Sequence, residues 1–218
     1  MHFLSHYYTE LPNNNALFVV ALGIPDLTSG FARVYNAKLK NAVVKESHEN
    51  SFVHEGIMKH FEADKRFHQS PAFNAMVKQC TAAFVNEGLN RERLRLSVIA
   101  HLAVEMMLDR QIVIQHADVC NRYYQLLGNA AESSLTSYFE NFGLENEKKV
   151  FLERFTFFKA RKYLLLFNEI ENIVFGLNRI YGNVTRTNFT DNDTPRFAGA
   201  LHNIDNIMRY RWQEILTV

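Results

Sequence analysis

The chain has 218 residues, of which 47% are hydrophobic and 22% are charged, and such a composition is ordinary for a globular protein. Its 24 basic and 23 acidic residues give a formal net charge of +1, so no concentrated basic surface is expected and nucleic acid is not a predicted partner. The two cysteines are too few for a disulfide scaffold, which predicts buried, reduced thiols.

Only four prolines and nine glycines occur in the chain, and this scarcity favours long helices over a turn-rich β fold. The predicted fold class is all-α: a single-domain, multi-helix bundle over residues 1–218. The first residues lack the charged and apolar regions of a signal peptide, and the longest apolar runs are too short to span a bilayer. We therefore expect a cytoplasmic protein with no membrane partner.

The first predicted element is a short apolar segment at residues 17–22. We expect it to stop or turn near Pro25, which has no amide donor and restricts the residue before it. Asp26 follows the break, where it could cap a later helix. Residues 29–45 are polar and mixed, and they predict a connection with a short helix.

Helical periodicity then runs from about residue 50 to 69 and restarts at Ser70 and Pro71. The restarted helix is expected to reach about residue 86 and to end at Gly88. Asn90 is a plausible N-cap for a long helix over residues 91–115, which is apolar on much of its circumference and therefore central.

Further helices are predicted at residues 117–127 and 131–141, with Gly128 between them. Residues 145–181 are long enough for one extended helix, or for two helices with a break near residues 159–162. Pro195 is expected to open a last helix that continues through Trp212.

Two of the central helices carry the same spacing of potential metal ligands. Each has an imidazole, a carboxylate four residues later and another polar group four residues after that: His60–Asp64–His68 and His101–Glu105–Asp109. Side chains four residues apart lie on one helix face and can reach one ion. Because eight residues rotate by roughly 80° around a helix, the last member of each series is expected to support the ion or to bind a second one.

The apolar surroundings of Glu105 favour a metal, because a lone buried carboxylate costs free energy unless it is paired or bound to a cation. Imidazole and carboxylate ligands together suit Mn²⁺, Fe²⁺, Zn²⁺ or, with more oxygen ligands, Mg²⁺. The alternative is that each pair is a structural hydrogen bond. A ferritin-like di-iron site is disfavoured because the Glu-x-x-His spacing is absent at these positions, and no phosphate-binding P-loop or nucleophile elbow occurs.

The order of several short segments supports a family resemblance. Residues 3–6 read Phe-Leu-Ser-His, an apolar segment ends at Asp26, and Gly56, His60 and Asp64 follow the pattern Gly-x-x-x-His-x-x-x-Asp. A later helix with spaced ligands covers residues 101–109. Over about residues 1–115 this arrangement resembles the acyl carrier protein phosphodiesterase family, which is similar to the HD-type metal-dependent phosphohydrolases.

The resemblance implies an all-helical, HD-phosphohydrolase-like fold and a role in fatty acid and lipid metabolism. The implied activity is the removal of 4′-phosphopantetheine from holo-acyl carrier protein, supported by Mn²⁺. Acyl carrier protein would then be the protein substrate. The resemblance implies that Asp26, His60, Asp64 and Glu105 are metal-binding and catalytic residues. The helical spacing adds His101, so the predicted metal ligands are Asp26, His60, Asp64, His101 and Glu105. Supporting roles are expected for His6, His68 and Asp109.

The chain departs from the family pattern at two positions. His101 stands where the family has Asp, and Met106 follows Glu105 where the family has His after Asp. No adjacent His-Asp dyad occurs anywhere in the chain. Two alternatives therefore stay open: hydrolysis of a small nucleotide or other phosphoester, and a non-catalytic helical interaction domain that retains the fold.

Overall fold

The computed structural model describes residues 1–28, 48–141 and 143–216. Within these ranges the chain is helical and contains no β-strand, which confirms the predicted all-α class. In the same ranges, none of the helices combines the length and apolar character needed to cross a bilayer. The short helix predicted within residues 29–45 lies outside the described residues, and the likeness to HD-type phosphohydrolases stays a prediction.

In chain order the helices are α1 (Phe3–Thr9), α2 (Ala16–Leu27), α3 (His48–Gln69), α4 (Pro71–Asn86), α5 (Leu96–Gln115), α6 (Ala117–Asn129), α7 (Glu132–Asn141), α8 (Glu145–Arg161), the 3-10 helix Tyr163–Asn168, α9 (Ile170–Thr185) and α10 (Asp193–Leu216).

The chain divides into two compact units. The first contains Met1, Phe3–Lys65 and Asp118–Tyr163, and the second contains His2, Arg66–Ala117 and Leu164–Val218. The prediction of one domain over residues 1–218 stays a prediction.

Helix α2 is the central helix of the first unit. All its residues from 17 to 25 are buried, as expected for a helix that is apolar on every side. The side chain of Asn15 begins the helix by accepting a hydrogen bond of 3.1 Å from the amide of Phe18.

The expectation that the chain stops or turns at Pro25 is wrong, because α2 continues to Leu27. Pro25 lies in the last turn, where its missing amide removes one intrahelical hydrogen bond. Thr28 follows the helix, and its amide and its hydroxyl both donate to the carbonyl of Ile24, at 3.0 and 2.7 Å. Asp26 is therefore a residue of α2.

Helix α5 is the central helix of the second unit, and all its residues from 103 to 113 are buried. The Arg110 guanidinium binds Asp205 of α10 at 3.0 and 3.2 Å and donates to the carbonyl of Phe167 at 2.8 Å. Gln111 donates to the same Asp205 carboxylate at 2.7 Å. These bonds pair the charges that burial of α5 would otherwise leave isolated.

The predicted start of α5 is wrong. Asn90 accepts hydrogen bonds from the amides of Glu92 and Arg93, at 2.8 and 3.2 Å, but it caps only a turn. The amide of Arg95 donates to the hydroxyl of Tyr181 at 2.9 Å, so this amide is not available to a helical carbonyl, and α5 begins at Leu96.

The helix breaks agree with the predictions at α4 and near residue 162. Ser70 caps α4 through the amide of Phe73, and Gly88 has the positive φ of 76° that is common just beyond a helix end. Lys162, with a φ of 46°, ends α8, so the two-helix alternative for residues 145–181 is confirmed. Gly128 lies inside α6 and does not separate two helices.

Both cysteines, Cys80 and Cys120, are buried thiols, as predicted. Burial raises the pKa of Cys80, which keeps this thiol protonated and unreactive.

Candidate functional site

A close approach of α2 and α3 positions the first set of predicted ligands. A Cβ atom at Gly56 would lie 2.5 Å from the carbonyl oxygen of Phe18 and 2.6 Å from the Cβ atom of Ala21. Only glycine allows the two helices to approach this closely. One turn later on α3, His60 reaches the backbone of α2, where its Nδ1 lies 2.8 Å from the carbonyl oxygen of Leu22.

The contact with Leu22 fixes the tautomer of His60. A carbonyl oxygen only accepts hydrogen bonds, so Nδ1 carries the proton and donates it. Burial, followed by repulsion from the nearby His6, holds the pKa of His60 well below its usual value. The ring is therefore neutral, and its Nε2 atom presents a lone pair.

The Nε2 atom of His60 faces two carboxylates, Asp26 on α2 at 4.0 Å and Asp64 on α3 at 3.5 Å. A lone pair and two carboxylates repel one another, and a cation between them would relieve this repulsion. A carboxylate or backbone contact at the other ring nitrogen is also the usual way in which a metal-binding histidine is oriented. The geometry at His60 thus fits a metal ligand better than an isolated hydrogen bond.

His6 of α1 completes this arrangement. Its ring stacks on that of His60 with centroids 4.0 Å apart, and its Nε2 atom lies 3.3 Å from Oδ1 of Asp64. The amino group of Met1 donates to the same Asp64 oxygen at 2.7 Å. Burial raises the pKa of Asp64, but the hydrogen bond from His6 and the neighbouring positive charges outweigh it, and the pKa lies well below its usual range.

We call His6, Asp26, His60 and Asp64 the N-terminal group. One ligand atom from each of His6, Asp26 and His60 lies within 4.8 Å of the other two. Neighbouring ligand atoms around an ion at 2.0–2.2 Å are about 2.9–3.5 Å apart, and the contacts of Asp64 with His6 and His60, at 3.3 and 3.5 Å, have this length. The residues of the N-terminal group therefore fit a divalent ion bound by nitrogen and oxygen.

A second set of ligands, which we call the His68 group, consists of His68, His101 and Glu105 in the second unit. Both imidazole Nε2 atoms approach the same Glu105 oxygen, that of His68 at 2.9 Å and that of His101 at 3.3 Å. Burial raises the pKa of Glu105, but the hydrogen bonds from His101 and His68 act against it, and the pKa lies well below its usual value.

Asp109, for which a supporting role stays a prediction, contacts a histidine near the start of the chain. Its side chain is fully buried, and its Oδ2 atom lies 2.7 Å from Nδ1 of His2. The ring of His2 also stacks on Phe167, with centroids 6.0 Å apart. Sequence reasoning missed His2, because no carboxylate lies near it in the chain at ligand spacing.

Each unit contains one group of the predicted ligands. His60, Asp64 and Asp26 lie with His6 in the first unit, and His101 and Glu105 lie with His68 in the second. The assignment of the five predicted metal ligands to one ion stays a prediction. His6 and His68, for which supporting roles were predicted, lie at ligand distance within these groups.

Among the remaining histidines, His54 hydrogen-bonds the hydroxyl of Tyr138 at 3.1 Å. His202 lies 3.9 Å from Glu171 in an exposed pair. Neither belongs to a ligand group among the described residues.

Comparisons of the chain with protein-family models, with curated proteins and with solved structures find no match.

Proposed function

We propose that this chain is a metal-dependent phosphodiester hydrolase whose divalent ion is bound by the N-terminal group. The observation that carries the proposal is the buried Nε2 atom of His60, which faces Asp26 and Asp64 while Nδ1 is held by the carbonyl of Leu22. The family resemblance of residues 1–115 supports phosphodiester chemistry and Mn²⁺ as the first ion to test.

A divalent ion in this position supplies two effects when bound: it lowers the pKa of a coordinated water, and it neutralises charge on a phosphate group. The side chains of the protein supply the orientation. His6 and His60 are buried, whereas the side chains of Asp26 and Asp64 are 29% and 28% exposed, so a phosphate can approach from the carboxylate side.

Arg154 is the basic residue that we assign to phosphate binding. Its guanidinium donates to the carbonyl of Leu27, the residue after Asp26, at 2.8 Å, and the side chain is exposed. Guanidinium groups bind phosphate oxygens through paired hydrogen bonds, and this one contacts the residue that follows Asp26 in the chain.

The proposed reaction adds water across a phosphodiester. A bond forms between phosphorus and the water oxygen, the bond from phosphorus to the serine oxygen of the carrier breaks, and that oxygen leaves with a proton. The products are 4′-phosphopantetheine and apo-acyl carrier protein.

The test is to incubate the protein with holo-acyl carrier protein and Mn²⁺ and to follow apo-protein formation by mass spectrometry. We expect His60→Ala and Asp64→Asn to reduce the rate by about 100-fold or more, because both remove a ligand of the ion. Two matched control variants on the same helix, His54→Ala and Glu62→Gln, should retain the activity. The exposed carboxylate of Glu62 pairs with Lys59 at 3.4 Å.

The substrate is tested separately by a panel of nucleotides and generic phosphodiesters with Mn²⁺, Mg²⁺, Fe²⁺ or Zn²⁺. Activity on these compounds but not on the carrier would redirect the proposal to a small phosphoester. A protein that hydrolyses none of them and retains no ion after purification would refute the proposal and favour a non-catalytic interaction domain.

A further inference from the structure

We infer that the His68 group binds a divalent transition-metal ion of its own, with His68, His101 and Glu105 as its three protein ligands. Binding of this ion does not require the hydrolytic function proposed above. The sequence analysis assigned His101 and Glu105 to the same ion as His60 and expected only a supporting role for His68.

The distances within the group are those of a coordination polyhedron. Metal–nitrogen and metal–oxygen bonds of 2.0–2.2 Å place neighbouring ligand atoms about 2.9–3.5 Å apart. The two imidazole nitrogens lie 2.9 and 3.3 Å from one oxygen of Glu105, and the three ligand atoms lie within 4.8 Å of one another. One ion can therefore replace the shared hydrogen bonds with little movement of the side chains.

One buried aromatic side chain packs against both imidazoles. Phe73 packs edge-on against His68, with centroids 5.5 Å apart, and against His101, with centroids 5.0 Å apart. The two imidazoles stack on each other at 4.8 Å. Phe73 is itself held at the start of α4, where its amide donates to the Ser70 hydroxyl at 3.3 Å. Such packing orders the ligands before an ion binds, which reduces the entropy lost on binding.

The ligand set selects the class of ion. Two imidazoles and one carboxylate are the protein ligands of many catalytic zinc sites and of non-haem iron sites, whereas Mg²⁺ and Ca²⁺ prefer oxygen. The side chains of His68 and His101 are 34% and 40% exposed, while that of Glu105 is 11% exposed. Three ligands from a buried carboxylate and two half-buried rings leave coordination positions open to water or to a small anion.

An exposed pair of histidine and glutamate in the same unit differs from the His68 group in its geometry. His202 and Glu171 are 59% and 68% exposed and lie 3.9 Å apart, with no second imidazole in the pair. His202 is therefore the matched control for the test, since it shares the residue types and the unit but lacks the geometry.

The experiment uses Co²⁺ alone as the probe. Protein stripped with a chelator is titrated with Co²⁺, and binding is followed by the visible absorption of the nitrogen-ligated ion; Zn²⁺ is then added to displace it. We expect His68→Ala and His101→Ala each to lower the affinity for one equivalent of Co²⁺ by on the order of 100-fold. His202→Ala should bind as the wild-type chain does.

His101→Ala removes a half-exposed ring, and thermal unfolding without metal verifies that the variant is folded. Glu105→Gln, which keeps the shape of the side chain, provides a second variant with the same expected loss. The inference is overturned if His68→Ala, His101→Ala and Glu105→Gln bind Co²⁺ as tightly as the wild type. It is equally overturned if the wild type binds a single equivalent that His60→Ala abolishes. A wild-type protein that binds Co²⁺ through the His68 group but hydrolyses no phosphodiester would refute the proposed function and leave this site supported.

Discussion

The carboxylate of Asp193 shows how one residue makes the stability of the protein depend on pH. Burial raises the pKa of Asp193, but hydrogen bonds from the amide and hydroxyl of Thr190, at 2.6 and 2.7 Å, and the ion pair with Arg93 outweigh it. The pKa in the folded state is therefore lower than the value of about 3.9 expected in the unfolded chain. The unfolded state binds more protons as the pH falls through this range.

We predict that this contribution to stability is fully present above about pH 5 and is lost as the pH falls through the lowered pKa of Asp193. Asp193→Asn should be less stable than the wild type at pH 7, and the difference should shrink as the pH falls. Urea denaturation at pH 7, 5, 4 and 3 measures both proteins. A difference that stays constant over this range would contradict the assignment.

At the same scale, the sequence identifies ligands that are close along one helix and misses those that are not. His60 and Asp64 were found because a spacing of four residues places them on one helix face. The contact between His2 and Asp109 joins residues that are 107 positions apart, and no local pattern indicates it. Which ligands share an ion also depends on such long-range packing, so the assignment of the five ligands to one ion stays a prediction.

At the scale of helices, the approach of α3 to α2 depends on Gly56. A methyl group there meets the backbone oxygen of Phe18 at 2.5 Å, a distance that backbone atoms cannot relieve without moving a helix. We predict that Gly56→Ala lowers the free energy of unfolding by about 1–3 kcal/mol, the usual effect of overpacking. It should also weaken Mn²⁺ binding, because the contact of His60 with Leu22 lies one turn further along α3.

Gly128 is the control for this substitution. It lies inside α6, and among the described residues no atom beyond its chain neighbours and its own helix backbone lies within 4 Å of the place that a Cβ atom would occupy. Gly128→Ala should therefore raise stability by about 0.5–1 kcal/mol, because alanine is the better helix former. Thermal unfolding and Mn²⁺ titration of both variants test the prediction, and equal effects at the two positions would contradict it.

Helix ends were predictable where the residue at the end acts on its close neighbours in the chain. Ser70 and Gly88 bound α4 as expected, since an N-cap side chain and a positive φ are local properties. The start of α5 was not predictable from Asn90, because the hydroxyl of Tyr181, which is 86 residues away, takes the amide of Arg95. Helix α2 continues for two residues beyond Pro25, because a proline in the last turn removes only one intrahelical hydrogen bond.

At the scale of the whole molecule, composition and helical periodicity were sufficient to predict the all-α class. Each unit contains a helix that is buried on all sides along much of its length, α2 in the first and α5 in the second. A continuous apolar run explains α2. In α5 the buried face includes charged residues, and their partners on other helices had to be found in the structure.

The buried network around Asp205 connects α5 with α10, and we predict that the second unit depends on it. Asp205→Ala leaves the Arg110 guanidinium and the Gln111 amide without the carboxylate that binds them at 2.7–3.2 Å. Removal of one partner from a buried pair costs about 3–5 kcal/mol, because the other charge stays buried and uncompensated. Hydrogen exchange of amides in α5 and α10 should accelerate accordingly.

The matched control is Glu214→Ala on the same helix. Glu214 pairs with Arg211 at 2.8 Å, but the two side chains are 61% and 44% exposed, so solvent screens the interaction. An exposed pair of this kind contributes about 0–1 kcal/mol, and amide exchange should change little. Equal acceleration of amide exchange in the two variants would contradict the prediction. Apolar packing would then hold α10 in place, and the pair of Arg110 and Asp205 would contribute no net stability.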